Sequence, residues 1–172
     1  MSSTEPAFEN LIPEGDHLER AVCTRCGFID YQNPKMVVGS VIATQERILL
    51  CRRAIEPRSG FWTVPAGYLE LHETPDEGAA REAAEEANAD IAIEGILGVY
   101  SIPHISQIQI MFRATFRNQV VFSPGIESLD VRLFEWADIP WQEIAFPSVH
   151  WALHAWYRGR HASLGLPDRN PA

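Results

Sequence analysis

The chain has no apolar run long enough to span a bilayer. It also lacks the basic-then-apolar opening of a secretory signal, because its start, MSSTEPAFENLIPEGD, is acidic and polar. A membrane protein is not expected, and the chain is placed in the cytoplasm. Cysteine is scarce: three residues, without the spacing of a disulfide framework, fit a reducing compartment. Positive charge is scarce too. With 14 Lys and Arg against 23 Asp and Glu, the formal charge is −9, and no basic cluster with interleaved aromatics offsets it, so nucleic-acid binding is not expected. No internal repeat is visible. No Ser or Cys has the surroundings of an activated nucleophile, so no covalent enzyme intermediate is expected. What remains is a chain of 172 residues, 46% hydrophobic, able to bury one sizeable core.

Residues 67–89 read GYLELHETPDEGAAREAAEEANA. Thr74 is an N-cap, Pro75 suits the first helical position, Asp76 and Glu77 acidify the first turn, and Glu77 can close a capping box. A helix is predicted from Pro75, ending at Asn88, the residue type best able after glycine to adopt the left-handed conformation. Ala80, Ala83, Ala84 and Ala87 recur at helical spacing and should face a sheet, leaving Glu82, Glu85 and Glu86 on the opposite side. Three neighbouring carboxylates repel unless a cation joins them, and oxygen-only ligands suit Mg²⁺ or Mn²⁺ rather than zinc. Arg81 can pair with Glu85 or reach back to Glu73, so both read as braces.

A glutamate-rich helix is ordinarily a solvated face. Here Gly67, Glu73 and Arg81 accompany it. The spacing G-x5-E-x7-R-E-x2-E-E resembles the signature of the Nudix hydrolases, with Asn88 in place of a second glycine and Ala83 and Ala89 in place of larger aliphatics. The resemblance implies an α/β fold, an α/β/α sandwich around a mixed sheet, and cleavage of nucleoside diphosphates linked to another moiety. It implies that Glu82, Glu85 and Glu86, with the Gly67 carbonyl, hold one to three Mg²⁺ ions at the diphosphate of a small nucleotide substrate. It also makes Glu86 and Glu127, the latter on a loop after a strand, the candidate proton acceptors. The runs YQNPKMVVG, FWTVPAGYLE and PGIESLDVRLF are similar to a subgroup with an N-terminal zinc ribbon acting on ADP-ribose and FAD. NADH pyrophosphatase, nucleotide sanitation and a silent nucleotide-binding regulator are the alternatives. A homodimer is a family-based expectation, with the arm before Lys35 crossing between subunits.

Strands are predicted over 36–43 and 47–52 as a hairpin, then at 62–64, 91–100, 107–116 and 131–136, and a second helix over 148–157. Residues 1–35 form a separate arm, 36–160 the hydrolase-like domain, and 161–172 a tail with the composition of a flexible end. In the arm, Cys23-Thr-Arg-Cys26-Gly is half a zinc ribbon; the other cysteine pair is missing and only His17 is near, so the arm is expected to pack without metal while zinc stays open. Arg52 and Arg53, which close a strand beside a loop, are candidate phosphate ligands. Trp62 reads as core, with stacking on a base the alternative. Cys51 reads as a core residue, and His150 and His154 as members of a packing helix.

Overall fold

A computed structural model describes residues 7–171, which divide into two compact units on either side of the Pro34–Lys35 bond. In the first unit, strands β1 (Phe8–Leu11), β2 (Arg20–Cys23) and β3 (Ile29–Asp30) form a small antiparallel sheet in the order β1-β2-β3. Cys23 is its only buried apolar residue among those described, whereas Ile12, Leu18, Phe28 and Tyr31 are half or more exposed.

The second unit contains β4 (Lys35–Thr44), β5 (Arg47–Arg53), β6 (Trp62–Thr63), β7 (Ala66–Tyr68), α1 (Pro75–Ala87), β8 (Ile91–Ile102), β9 (Gln107–Phe116), β10 (Ser128–Glu135) and α2 (Pro147–Gly159). Its seven-stranded sheet runs β10-β5-β4-β9-β8, with β6 added to β5 and β7 to β4. The β4–β9 pair is parallel and the others antiparallel, so the sheet is mixed.

Side chains alternate between faces along each strand. Ile42, Leu49, Cys51 and Ala114 therefore meet Ala83 and Ala87 of α1, while Val41, Ile48, Leu50 and Met111 meet Val149, Ala152, Leu153 and Trp156 of α2. One helix covers each face, giving the α/β/α sandwich implied by the motif. No helix among the described residues is long and apolar enough to cross a membrane.

The expected hairpin exists only at its turn. β4 and β5 pair through Ala43–Ile48 and Thr44–Arg47 and then part. In the gap β7 takes over pairing with β4 at Val37–Gly39, and β6 pairs with β5 at Cys51–Arg52. Gly39 is required by this crossing, since a Cβ there would lie 2.7 Å from the Pro65 carbonyl oxygen. The parting of the strands leaves room for β7 beneath α1.

Residues 161–172, expected to be flexible, find partners in their described part. The Asp168 N–H donates to Leu97 O, the Val99 N–H donates to Asp168 O, both at 2.9 Å, and Arg158 pairs with the Asp168 carboxylate at 2.6 Å. The edge of β8 offers unpaired backbone groups, and this segment satisfies some of them.

Candidate functional site

Local chemistry sets α1 in place. The Glu77 carboxylate accepts from both the N–H and the hydroxyl of Thr74, each at 2.8 Å, and Pro75 opens the first turn. At the other end Asn88 adopts the left-handed conformation (φ 47°), and its N–H donates to the Ala84 carbonyl at 3.0 Å. Its side-chain amide donates to the carbonyls of Ser123 and Pro124 at 3.2 and 3.1 Å. The N–H groups of Ser123 and Gly125 in turn donate to the Ala87 and Glu86 carbonyls. The loop carrying Glu127 is thus fastened to the last turn of α1, and a Cβ on Gly125 would collide with the Glu85 carbonyl. Asn88, in place of the motif's glycine, holds the left-handed cap and latches this loop with its side chain.

The helix is turned differently from the expectation. Gly78, Ala79, Ala83 and Ala87 face the sheet, but Glu82 and Glu86 are buried with them, and Ala84 and Glu85 are exposed. β7 makes this possible. The Glu86 carboxylate accepts from the Ala66 N–H at 3.3 Å, and Gly67 leaves space for Glu82, whose carboxylate carbon lies 2.5 Å from where a Gly67 Cβ would stand. Only glycine permits so close an approach of backbone to carboxylate.

Arg81 ties these groups together. It reaches Glu73 at 2.8 Å, Glu82 at 2.7 Å, Glu85 at 2.9 Å and the Tyr68 carbonyl at 3.0 Å. Its hydrogen bonds hold the Glu73 carboxyl at about 2 and raise its own pKa. Glu86 behaves oppositely: burial, with Glu82 beside it, pushes it up to about 8. Glu82 is also raised, by burial first, against the pull of Arg81. Glu127 contributes to both upward shifts, which brings it into the group.

The carboxylates line a cleft of about 1570 Å³, together with Gly67, Arg53 and Glu127. Arg53 stacks over the Phe146 ring at 5.3 Å. Arg52, one residue away on the strand, donates instead to the Gly60 carbonyl at 2.8 Å and does not line the cleft. Trp62 is 5% exposed, packed edge-on against Phe134 at 4.9 Å; it is core, and the stacking alternative is withdrawn. Cys51 is likewise buried, with its thiol pKa raised by desolvation. His150 and His154 both stack on Trp141, as members of a packing helix.

A further part of the cleft wall was missed from sequence. It is formed by Ser101, the turn Pro103–Ile105, Gln107, Gln109, Trp151 and Asn170. Asn170 accepts from the Ser101 N–H at 2.8 Å and donates to the Ser101 carbonyl at 2.7 Å, across 69 residues of sequence. No motif flags such a pair.

No three His, Cys, Asp or Glu side chains converge on one point among the described residues. In the cleft this reflects Arg81, which draws Glu82 and Glu85 to itself. The donor set still fits a hard divalent cation, being all oxygen, with two buried carboxylates whose pKa values burial raises and which a cation would favour in the ionised form. In the first unit the case differs. Cys23 and Cys26 are two ligands where a structural zinc needs four, so the described residues do not make that site.

Comparison with known proteins places these features. A family description of the NUDIX domain matches residues 33–157, and one of the Nudix N-terminal zinc ribbon matches residues 6–32. The chain is similar to a crystal structure of a NUDIX hydrolase from Nitrosomonas europaea, at 46% identity and TM-score 0.87, covering 99% of this chain and 95% of that one. It is 36% identical over 73 residues to an ADP-ribose pyrophosphatase of Methanocaldococcus jannaschii, covering 42% of this chain and 43% of that protein. It is 38% identical over 77 residues to a MutT-like protein of Streptomyces ambofaciens, covering 45% of this chain and 48% of that protein. The chain thus spans about half the length of these two curated relatives.

Proposed function

The chain belongs to the NUDIX hydrolase family, and on that premise we propose that it hydrolyses the pyrophosphate bond of ADP-ribose or FAD and releases AMP. The observation that carries this reading is the buried Glu82–Glu86 pair against the Gly67 backbone, in a cleft also lined by Ser101 and Asn170. A volume of about 1570 Å³ exceeds the usual range of single-ligand pockets, roughly 300–1,000 Å³, and suits a substrate with a group on each side of a diphosphate. The similarity to an ADP-ribose pyrophosphatase supports the same choice.

In this reading Glu82, Glu85, Glu86 and the Gly67 main chain hold Mg²⁺ or Mn²⁺. A divalent cation there would neutralise charge on the diphosphate and make an attacking water more acidic. Arg53, at the edge of the carboxylate group, contacts a phosphate oxygen. Glu86 or Glu127 accepts the proton of the water. Arg81 and Glu73 fix the loop after β7 to α1 and limit the rotamers of Glu82 and Glu85. The acidic surface makes binding of an anionic substrate depend on the cation, which links affinity to the same carboxylates. A cytoplasmic homodimer belongs to this reading as well; sedimentation of the purified chain tests the dimer.

The decisive experiment is a panel of ADP-ribose, FAD, NADH, diadenosine polyphosphates and oxidised dNTPs with Mg²⁺ or Mn²⁺. The expected result is the highest kcat/KM on ADP-ribose or FAD, with AMP released. A preference for a nucleoside triphosphate would overturn the substrate choice, and metal-dependent binding without turnover would overturn the enzymatic reading.

A further inference from the structure

The knuckle between β2 and β3 belongs to the first unit. Strand β2 ends at Cys23, a turn follows over 24–26, and the chain returns as the Cys23 N–H donates to Phe28 O at 2.8 Å and the Gly27 N–H to Cys23 O at 2.9 Å. Gly27, with φ 74°, supplies the left-handed residue that this return requires. Cys23 and Cys26 stand at positions i and i+3 of this turn. Residues at positions i and i+3 of such a turn have Cα atoms within about 7 Å, close to the separation a disulfide spans, about 4.4–6.8 Å.

The match to a zinc-ribbon description raises the expectation of a metal here, yet the described residues bring no such set of ligands together. The chain has three cysteines, and the third, Cys51, is buried in the core of the other unit. His17 has its ring nitrogen 3.6 Å from the Asp16 carboxylate, and no third metal-binding side chain joins the two thiols among the described residues. A unit of this size, with Cys23 its only buried apolar side chain among the described residues, lacks the core that normally holds such a fold. Units below about 40 residues generally need a cross-link, a metal or a partner.

We infer that Cys23 and Cys26 are a reversible dithiol–disulfide pair, oxidised by low-molecular-weight disulfides, in place of half a zinc site. Cys26 is exposed and Cys23 buried, which assigns the order of events. The Cys26 thiolate attacks the small disulfide RSSR and expels one RS⁻, leaving a mixed disulfide on Cys26. The Cys23 thiolate then attacks the Cys26 sulfur and expels the second RS⁻. Two protein thiols are oxidised by two electrons, one RSSR is reduced to two RSH, and the protons of Cys23 and Cys26 end on the released thiols. A reductant of the same class reverses both steps.

The test uses the full chain incubated with oxidised glutathione, alkylated, denatured and cut with trypsin. Cleavage after Arg20, Arg25 and Lys35 separates residues 21–25 from 26–35, placing one cysteine in each peptide. In most chains the two peptides are expected to stay joined until reduced, the intact protein being about 2 Da lighter, with Cys51 still free. Cys23→Ser should instead leave one glutathione on Cys26, because no second thiol resolves it. Zinc is measured on the same protein, purified without chelator. Separately alkylated peptides after oxidation would overturn the inference. So would stoichiometric zinc, or one zinc per two chains, that shields both thiols until a chelator is added.

Discussion

Glu86 makes the metal-free protein respond to pH in a direction opposite to most acidic residues. Burial and the adjacent Glu82 raise its pKa from 4.5 to about 8. Between those values the folded chain holds a proton that the unfolded chain has released. Stability from this group is therefore complete below pH 4.5 and is lost as pH climbs through about 8. Each unit is worth about 1.36 kcal/mol, so the whole shift sets a ceiling near 5 kcal/mol; coupling to Glu82 and relaxation of the site reduce it to roughly 2–4 kcal/mol. For a unit of this length that is a fall in melting temperature of about 5–15 °C between pH 5.5 and 8.5. Glu86→Gln, neutral throughout, should flatten most of that slope and melt above the wild type at pH 8.5. Mg²⁺ should stabilise the wild type more at pH 8.5 than at 5.5, since it binds the ionised form, and should do little for the variant. Thermal denaturation in chelator and in Mg²⁺ at several pH values measures all of this. Equal pH slopes for the two proteins would refute the reasoning, as would a metal-free wild type that gains stability from pH 5.5 to 8.5.

Glu82→Gln should lower kcat by roughly 10²–10⁴ with folding intact, whereas Glu77→Gln should weaken only the capping box and leave turnover nearly unchanged; steady-state kinetics of the pair decides, and equal small losses would remove Glu82 from the site. In Gly67→Ala the new methyl would stand 2.5 Å from the Glu82 carboxylate carbon, so Mg²⁺-dependent stabilisation should shrink and kcat fall by at least about 10², and a variant with wild-type kinetics would show that the close approach has no role. Asn170→Ala removes both hydrogen bonds to Ser101; at about 1 kcal/mol each, KM should rise by up to about 30-fold with kcat within about twofold, and a loss confined to kcat would contradict a role in shaping the cleft.

The parts of this architecture that were legible in the sequence are those written in contiguous residues. Thr74, Pro75, Glu77 and Asn88 delimit α1 by interactions within a few positions, and the bounds Pro75–Ala87 follow. Alternation along β9 is equally local. The burial of Glu82 and Glu86 was not legible, because periodicity assigns charged residues outward, and only β7 crossing beneath the helix makes an inward carboxylate tolerable. Arg53 and Arg52 differ by one position, and their fates depend on strand pleat and on Phe146, far along the chain. Glu127 reaches the carboxylates because Ser123 and Gly125 satisfy the last turn of α1, a long-range closure. Asn170 looked like part of a polar end, and its role arises from the open edge of β8.

Arg81 explains how so concentrated a negative site can exist before any cation arrives. Glu73, Glu82 and Glu85 all contact one guanidinium, which offers donors in a fixed fork and stays charged at any relevant pH. That pairing lowers the repulsion that would otherwise oppose folding, yet it does not extend to Glu86, whose pKa burial raises first and the adjacent Glu82 second. The site is therefore half neutralised. Lysine at this position could not satisfy three carboxylates and the Tyr68 carbonyl together, since a compact ammonium lacks the planar fork. A cation entering the cleft must share Glu82 and Glu85 with Arg81, whereas at Glu86 it displaces the proton that burial keeps there up to about pH 8. The same arrangement keeps the loop after β7 attached to α1 while Glu82 changes partners, because Glu73 and the Tyr68 carbonyl hold the other edge of the guanidinium.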